Sequence, residues 1–402
     1  MSIVLAFSGG LDTSYCVAYL RAHYGADVHT VTVNTGGFSP EALDALEARA
    51  YALGAASHTT VQAEHDLYQD HLSYLIKGNV LRGQVYPLCV GPERFVQAAA
   101  VVRVADAVGA TAIAHGSTGA GNDQVRFDGA LRALAPSLDI LTPIRAQGLS
   151  REASTQYLQE RGHEVPAATT AYSINRGLWG NTIGGAETLT THEPLPEAAY
   201  EDTVAPGDAP ATPARLTLTF DKGLPTAVDG EAMDGVALVK HLHAVGARHG
   251  IGRGMHVGDT ILGIKGRVGF EAPAATILIT AHRELEKVVL TKAQQRHKGY
   301  LAEQYGALVH EGHYLDPVLK DIEAFLDSSQ RTVSGEVTVE LHQGRLQVLG
   351  CTSPFSLFDQ TRAAYGEANE AWDGRDARGF SRIYGLQAEI AHHVHQKQAT
   401  HA

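Results

Sequence analysis

The chain has 402 residues, 44% of them hydrophobic and 19% charged, with a formal net charge of −12. That length suits two or three domains with sizeable cores, and the composition is that of an ordinary globular protein. The acidic balance, with no basic stripe, argues against nucleic acid as a partner. No apolar run is long enough to cross a bilayer, so no membrane partner is expected. Cys16, Cys89 and Cys351 are odd in number and far apart, which argues against a disulfide framework or zinc knuckle and for a reducing cytoplasm. The first residues form a strand pattern rather than a basic, then apolar, cleavable leader, so no secretory signal is expected.

The first element carries the strongest signal. Residues 3–7 are a continuous apolar run, which predicts a buried parallel strand. Ser8-Gly9-Gly10-Leu11-Asp12-Thr13-Ser14 follows at once, and Val17 and Leu20 continue a helical pattern. A helix that opens on a glycine turn presents unpaired N–H groups and a partial positive charge, which together suit an anion. Ser8, Thr13 and Ser14 add hydroxyls, and Asp12 is placed to hold Mg²⁺ or to cap the helix. The plain alternative is an ordinary capped strand–helix turn. The lysine of the γ-phosphate loop, G-x-x-x-x-G-K-[ST], is absent.

Further along, strands are expected over 28–33, 111–115 and 139–142, and helices over 40–53 and 95–108. This alternation predicts a parallel sheet covered by helices across residues 1–165. Ligands sit beyond the carboxyl ends of such strands, so the loops after Phe7, Val33 and His115 should share one cleft. Residues 183–213, rich in Gly, Thr, Pro and Glu, are expected to form a long connection. Beyond it Leu216, Leu218 and Phe220 alternate, as do Val337, Val339 and Leu341, then Leu346 and Val348 after a Gln-Gly turn; these predict antiparallel strands. A helix should start at Asp316-Pro317 with Val318, Ile322, Phe325 and Leu326 on one face. The expected fold class is therefore α/β. A parallel-sheet nucleotide-binding domain (1–165) precedes an α+β domain (166–358) and a C-terminal segment (359–402). In the last, Phe380, Ile383, Tyr384, Ile390 and Val394 form a stripe near period 3.6 that needs a surface to lie on.

A second signal opens into the same predicted cleft: His115-Gly116-Ser117-Thr118-Gly119-Ala120-Gly121-Asn122-Asp123-Gln124-Val125-Arg126-Phe127. Its glycines allow backbone approach. Thr118, Asn122, Asp123 and Arg126 together could read an amino acid, with Asp123 on the ammonium and donors on the carboxylate. A well-bonded turn is the plain alternative.

The first motif resembles the pyrophosphate loop of the ATP pyrophosphatases, in which a substrate oxygen attacks the α-phosphate. Both motifs at this spacing resemble the argininosuccinate synthase family. The likeness continues through Tyr172-Ser173, Arg248-His249-Gly250-Ile251-Gly252-Arg253 and Ser353-Pro354-Phe355-Ser356-Leu357, and so spans the chain. It implies an adenine nucleotide α-hydrolase-like domain followed by a synthetase domain. The implied activity is an AMP-forming ligase of arginine biosynthesis, joining citrulline to aspartate with ATP and Mg²⁺. The family is usually tetrameric, with C-terminal helices reaching across subunits. Carried over by position, Ala6, Phe7, Ser8, Gly9, Gly10, Leu11, Asp12, Thr13, Ser14, Val33, Gly116 and Gln124 match the ATP site, with Asp12 as metal ligand. Thr118, Asn122 and Asp123 match the aspartate site. Tyr86, Asn122, Arg126, Ser173 and Thr182 match the citrulline site, and Arg94 a carboxylate anchor. Asp12, Asp123 and Arg126 are the residues expected to carry the chemistry.

The chain departs from the family at the citrulline end. A serine contact is Gly91, a glutamate is Gly258, a tyrosine is Phe270, and a frequent lysine in the second loop is Ala120. Either Asp259 replaces the lost charge, with plain citrulline as substrate, or the substrate's α-amine is blocked, as in an N-acylated citrulline. The first is the expectation. Other pyrophosphate-loop synthetases, and a non-catalytic nucleotide-binding regulator, are the rival readings; the regulator has no use for the Thr118–Arg126 loop. Gly250-Ile-Gly252-Arg-Gly254 lacks dinucleotide-loop spacing. His392, His393 and His395 suit a solvated tail rather than a metal site, and Cys89 suits a buried filler rather than sulfur transfer.

Overall fold

The computed structural model describes residues 1–163, 165, 172–362, 365 and 371–400. The expected boundary at 165/166 falls at the edge of a stretch, 166–171, that lies outside the described residues. Residues 1–355 form one compact unit and residues 356–402 another.

The chain opens with strands β1 (Ser2–Ala6), β2 (Asp27–Asn34), β3 (Ser57–Gln62), β4 (Ala112–Ala114) and β5 (Asp139–Leu141). They pair in parallel in the order β3-β2-β1-β4-β5. Ile3, Val4 and Leu5 have no exposed surface, as expected of a central strand covered on both faces. Strand β3 was not foreseen. Its sequence, Ser-His-Thr-Thr-Val-Gln, is polar because it is a half-exposed edge strand. The helices around this sheet are α1 (Leu11–Tyr24), α2 (Pro40–Ala52), short α3 (Glu64–Leu67) and α4 (Ser73–Gly78), α5 (Gly91–Ala107), α6 (Asp123–Leu134), α7 (Pro143–Gln147) and α8 (Arg151–Gln159). Helix α5 starts four residues earlier than expected, because Gly91-Pro92 is part of its buried first turn.

Two antiparallel sheets follow. Strands β6 (Ser173–Asn175), β7 (Asn181–Gly184), β11 (Arg253–Asp259) and β12 (Lys265–Glu271) are ordered β11-β12-β7-β6; β8 (Ala214–Asp221), β9 (Leu224–Val228), β10 (Glu231–Ala232), β13 (Gly335–His342) and β14 (Arg345–Thr352) are ordered β10-β9-β8-β13-β14. The alternation at Leu216, Leu218 and Phe220 buries all three, and Val339 and Val337 stand opposite Leu216 and Leu218. Helices α9 (Gly235–Arg248) and α10 (Pro273–Val289) pack on this second sheet and on each other, while α11 (Lys292–Glu311) and α12 (Pro317–Gln330) pair together over α4. Asp316 caps α12 by accepting from the Val318 N–H at 3.0 Å. The 183–213 connection is longer on structure than expected, since it holds two 3₁₀ turns, Ala186–Leu189 and Glu197–Ala199.

The second unit carries helix α13 (Gly374–Thr400). Its stripe of Phe380, Ile383, Tyr384, Ile390 and Val394 is exposed.

Candidate active site

A cleft of about 1880 Å³ runs along the carboxyl ends of the parallel strands. It is lined by every residue named above as a site candidate except Ser14. The loops after Phe7, Val33 and His115 all reach it, as the topology predicts.

At one end lies the glycine turn. Gly9 has φ +71°, and a Cβ there would stand 2.1 Å from Leu46 Cδ2 on α2, so both backbone angle and space require glycine. Gly10 caps α1 in an extended conformation with no side-chain acceptor. The first α1 hydrogen bond is Ser14 N–H to the Gly10 carbonyl at 2.9 Å, which leaves the preceding N–H groups open. Ser8 Oγ and Thr13 Oγ1 stand 3.3 Å apart on the cleft wall. Ser14 does not join them. It is fully buried, donates to the Gly10 carbonyl at 2.7 Å and accepts from Arg49 Nε at 3.0 Å. Its hydroxyl braces the turn from behind, which corrects its assignment as a phosphate donor. Asp12 is not the cap but a first-turn residue; burial pushes its carboxyl above the ordinary value and Arg151 pulls it back.

The second loop sits against this turn. A Cβ on Gly116 would meet Thr13 N at 3.3 Å and Thr13 Cγ2 at 3.1 Å, so glycine lets the two loops touch. The loop is tied down from its flanks. Buried His115 pairs with Asp128 at 2.9 Å, and its other ring nitrogen receives the Ser117 N–H at 3.4 Å. Arg145 bridges Asp128 Oδ2 (3.0 Å) and Gln124 Oε1 (3.1 Å). Burial alone would raise the Asp128 carboxyl, but His115 and Arg145 bring it down to about 2. Gln124, expected at the nucleotide, uses both ends of its amide on the Gly119 carbonyl and Arg145. Thr118 is exposed at the loop tip.

Asp123 stands at the start of α6, between two arginines. It accepts from Arg94 Nε at 2.9 Å and Arg126 Nη1 at 3.0 Å. Burial would raise its pKa; Arg94 and Arg126 hold it below the usual value, so it stays ionised. Its side chain remains a third exposed. Arg94 also reaches Asn175 Oδ1 at 2.9 Å, and Arg126 donates to the His310 carbonyl at 2.9 Å. Arg126 is therefore already engaged on both sides, as a holder of Asp123. Sequence reading missed Glu93, beneath these groups. Burial pushes its carboxyl up to about 8, against the pull of Arg94, and its Oε1 has no hydrogen-bond partner among the described residues.

Tyr86, Thr182 and Ser173 line the far end, with Tyr86 packed between the His256 and Phe270 rings at 5.6 and 5.4 Å. Asn122 Oδ1 accepts the Ile261 N–H at 2.9 Å, which joins the second loop to the turn between β11 and β12. Strand alternation puts His256 and Gly258 on one face of β11 and Asp259 on the other. The Asp259 carboxylate pairs with Lys265 at 2.6 Å, and only its carbonyl meets Arg82. Asp259 lines the same cleft as Gly258, with its carboxylate paired to Lys265. A Cβ at Gly258 would stand 2.5 Å from His256 Nε2, so the His256 ring fills that space. Burial and then Arg82 lower the His256 pKa; burial, Arg126 and Arg82 bring His310 to about 3. Both imidazoles are neutral at pH 7.

These two loops, in contact and in one cleft, can be compared with known proteins. Residues 2–164 match the arginosuccinate synthase N-terminal HUP domain and residues 172–391 the arginosuccinate synthase C-terminal domain. This chain belongs to the argininosuccinate synthase family. Curated relatives of that name include one from Xanthomonas campestris, 42% identical, covering 96% of this chain and 97% of its own. One from Pyrobaculum aerophilum is 40% identical and covers 97% and 98%; one from Sulfolobus acidocaldarius is 38% identical and covers 97% and 98%. A solved structure described as a predicted subunit of tRNA methyltransferase from Methanocaldococcus jannaschii overlaps 41% of this chain and 90% of its own at 19% identity, with a TM-score of 0.28, too slight to bear on the argument. As a family member the chain is a ligase, and ATP is among its substrates. Among the described residues no helix is long and apolar enough to cross a membrane.

Proposed function

We propose that this chain condenses citrulline with aspartate at the expense of ATP, giving argininosuccinate, AMP and pyrophosphate. The observation that carries the reading is the contact between the open-backbone turn at Ser8–Thr13 and the loop holding Asp123, at Gly116. It brings an anion site and an ammonium site into one cleft. In this reading the ureido oxygen of citrulline attacks the α-phosphate, and the bonding pair of the broken P–O bond leaves on pyrophosphate. Aspartate's amine then displaces AMP from the ureido carbon. No side-chain nucleophile is needed, so catalysis is positioning plus electrostatic stabilisation. Asp123, kept ionised by Arg94 and Arg126, faces the aspartate ammonium, with Thr118 and Asn122 beside it. Tyr86, Ser173 and Thr182 receive citrulline.

Asp12 fits Mg²⁺, a cation that takes one or two carboxylates and completes its shell with phosphates and water. No group of three acidic, His or Cys ligands exists among the described residues, which suits a metal carried in on the nucleotide. When bound there, Mg²⁺ would neutralise phosphate charge.

The decisive experiment is pyrophosphate release from ATP, assayed with each substrate omitted and with N-acetylcitrulline competing. The expectation is dependence on both citrulline and aspartate, with citrulline having the higher kcat/KM. Release that ignores aspartate overturns the reaction; a higher kcat/KM for the acylated form overturns the substrate. We extend the reading to a cytoplasmic homotetramer, supported by the unpaired cysteines and the exposed α13 stripe. Deleting residues 376–402 should then lower the mass seen by light scattering. An unchanged mass would remove the helix from assembly, and cell fractionation checks the location.

A further inference from the structure

Resting on that reading, the cleft holds a question about charge. A departing pyrophosphate gains negative charge on its bridging oxygen, and the phosphate turn lacks the lysine that other loops place there. Six arginines and no lysine line the cleft among the described residues: Arg82, Arg94, Arg126, Arg151, Arg176 and Arg267. Five are already engaged. Arg94 and Arg126 hold Asp123, Arg82 holds the Asp259 carbonyl, Arg176 pairs with Glu201, and Arg267 donates to the carbonyls of Glu187, Thr190 and Glu193. Arg151 makes no hydrogen bond or ion pair with any described residue, and its side chain is exposed. Its charge acts on its neighbour Glu152 and, from α8 to the start of α1, on Asp12.

Packing places it there. Helix α8 lies against α1 through Tyr157, whose ring stands 4.7 Å from Tyr15 and 6.3 Å from Tyr19. The two helices run in parallel. Their starts, Asp12 and Arg151, line the main cleft, while Ala18, Arg21 and Ala22 meet Arg161 and His163 at a separate cavity near their ends. Ser150 caps α8 through the Ala153 N–H at 3.2 Å. Arg151, the first residue of that helix, is thus free to turn toward the glycine turn.

We propose that Arg151 is a catalytic residue that binds the β- and γ-phosphates and stabilises pyrophosphate as it leaves. A guanidinium gives two parallel donors to phosphate oxygens. As the ureido oxygen bonds to the α-phosphorus, the bond from that phosphorus to the bridging oxygen breaks. Its electron pair stays on the pyrophosphate oxygen that Arg151 meets, and no proton moves in this step.

The test compares the full-length chain with Arg151→Gln and Arg151→Lys. Binding of magnesium pyrophosphate is measured by calorimetry, and steady-state kinetics are measured for all three substrates. For Arg151→Gln we expect pyrophosphate binding weaker by about tenfold and kcat lower on the order of 100-fold, with KM for citrulline and aspartate within about twofold. Arg151→Lys should recover part of both losses. Wild-type pyrophosphate affinity in Arg151→Gln overturns the proposal. So does an equal rise in all three KM values shared by both variants, the mark of a structural role. If Arg151→Gln does not fold, the Lys variant carries the same two readouts. A wild-type chain that binds pyrophosphate but turns over no ATP with citrulline and aspartate would fail the proposed function instead, and the calorimetry would still judge Arg151.

Discussion

Ser8–Thr13 and the Asp123 cluster line one cleft, yet the first leaves its donors open while the second has paired its charges among its own side chains. At the turn, glycine backbone and the start of α1 present N–H groups that no side chain caps among the described residues. At the other end Asp123 is bonded by Arg94 and Arg126, and Arg126 in turn by His310. Open backbone is indifferent to which anion arrives and costs little to maintain in a solvated cleft. A buried array of charges must be satisfied before any substrate enters, because an unpaired buried charge is expensive. The Asp123 end is therefore preorganised by its own ion pairs, whereas the glycine turn keeps its backbone donors open.

The largest expected break in this contrast is Asp12→Ala. If Asp12 serves only the nucleotide, pyrophosphate release should vanish while the thermal unfolding midpoint stays near wild type; near-normal activity would remove the assignment. Next is Asp123→Ala, which should do two things at once. It should raise KM for aspartate roughly 100-fold and far more than KM for ATP, and it should lower Tm, since two arginines lose their shared partner. Equal effects on both substrates without the Tm loss would mean that the cluster does not select aspartate.

Glu93 sharpens the comparison through pH. Its folded pKa, about 8, lies above the ordinary 4.5, so the folded chain holds a proton there that the unfolded chain has released. Its contribution to stability is complete below about pH 4.5 and is lost as pH rises through 8. Glu93→Gln should flatten the fall in Tm between pH 5 and 8 relative to wild type, and parallel Tm curves for the two proteins would sink the assignment. The smallest effect is expected at Ser14→Ala. Losing its hydrogen bonds should cost about 1 kcal/mol of stability and leave KM for ATP unchanged. A clear rise in that KM would return Ser14 to the phosphate site.

The two ends also differed in how legible they were. The glycine turn is a local device: strand, turn and helix start are contiguous, and the residue types needed are set by backbone angle and helix polarity. Ser14 is the exception, because which way a hydroxyl faces depends on Arg49 from another helix. The Asp123 end draws on Arg94, Asn175 and His310, brought together only by folding. Glu93 went unnoticed for the same reason, as did the role of Arg151. Asp259 stands on the opposite face of β11 from Gly258, because neighbours in a strand face opposite ways. Its pairing with Lys265 follows from hairpin register rather than from proximity in sequence.

What the sequence determined by itself was therefore the local and periodic part: the apolar central strands, the glycine turn, the capped helices and the alternating strands of the second half. Each depends on backbone geometry or on a repeat of side chains within a few residues. The tertiary structure alone decided which charges meet. Electrostatic partners are chosen by distance in space and by burial, and both arise only once distant segments have packed.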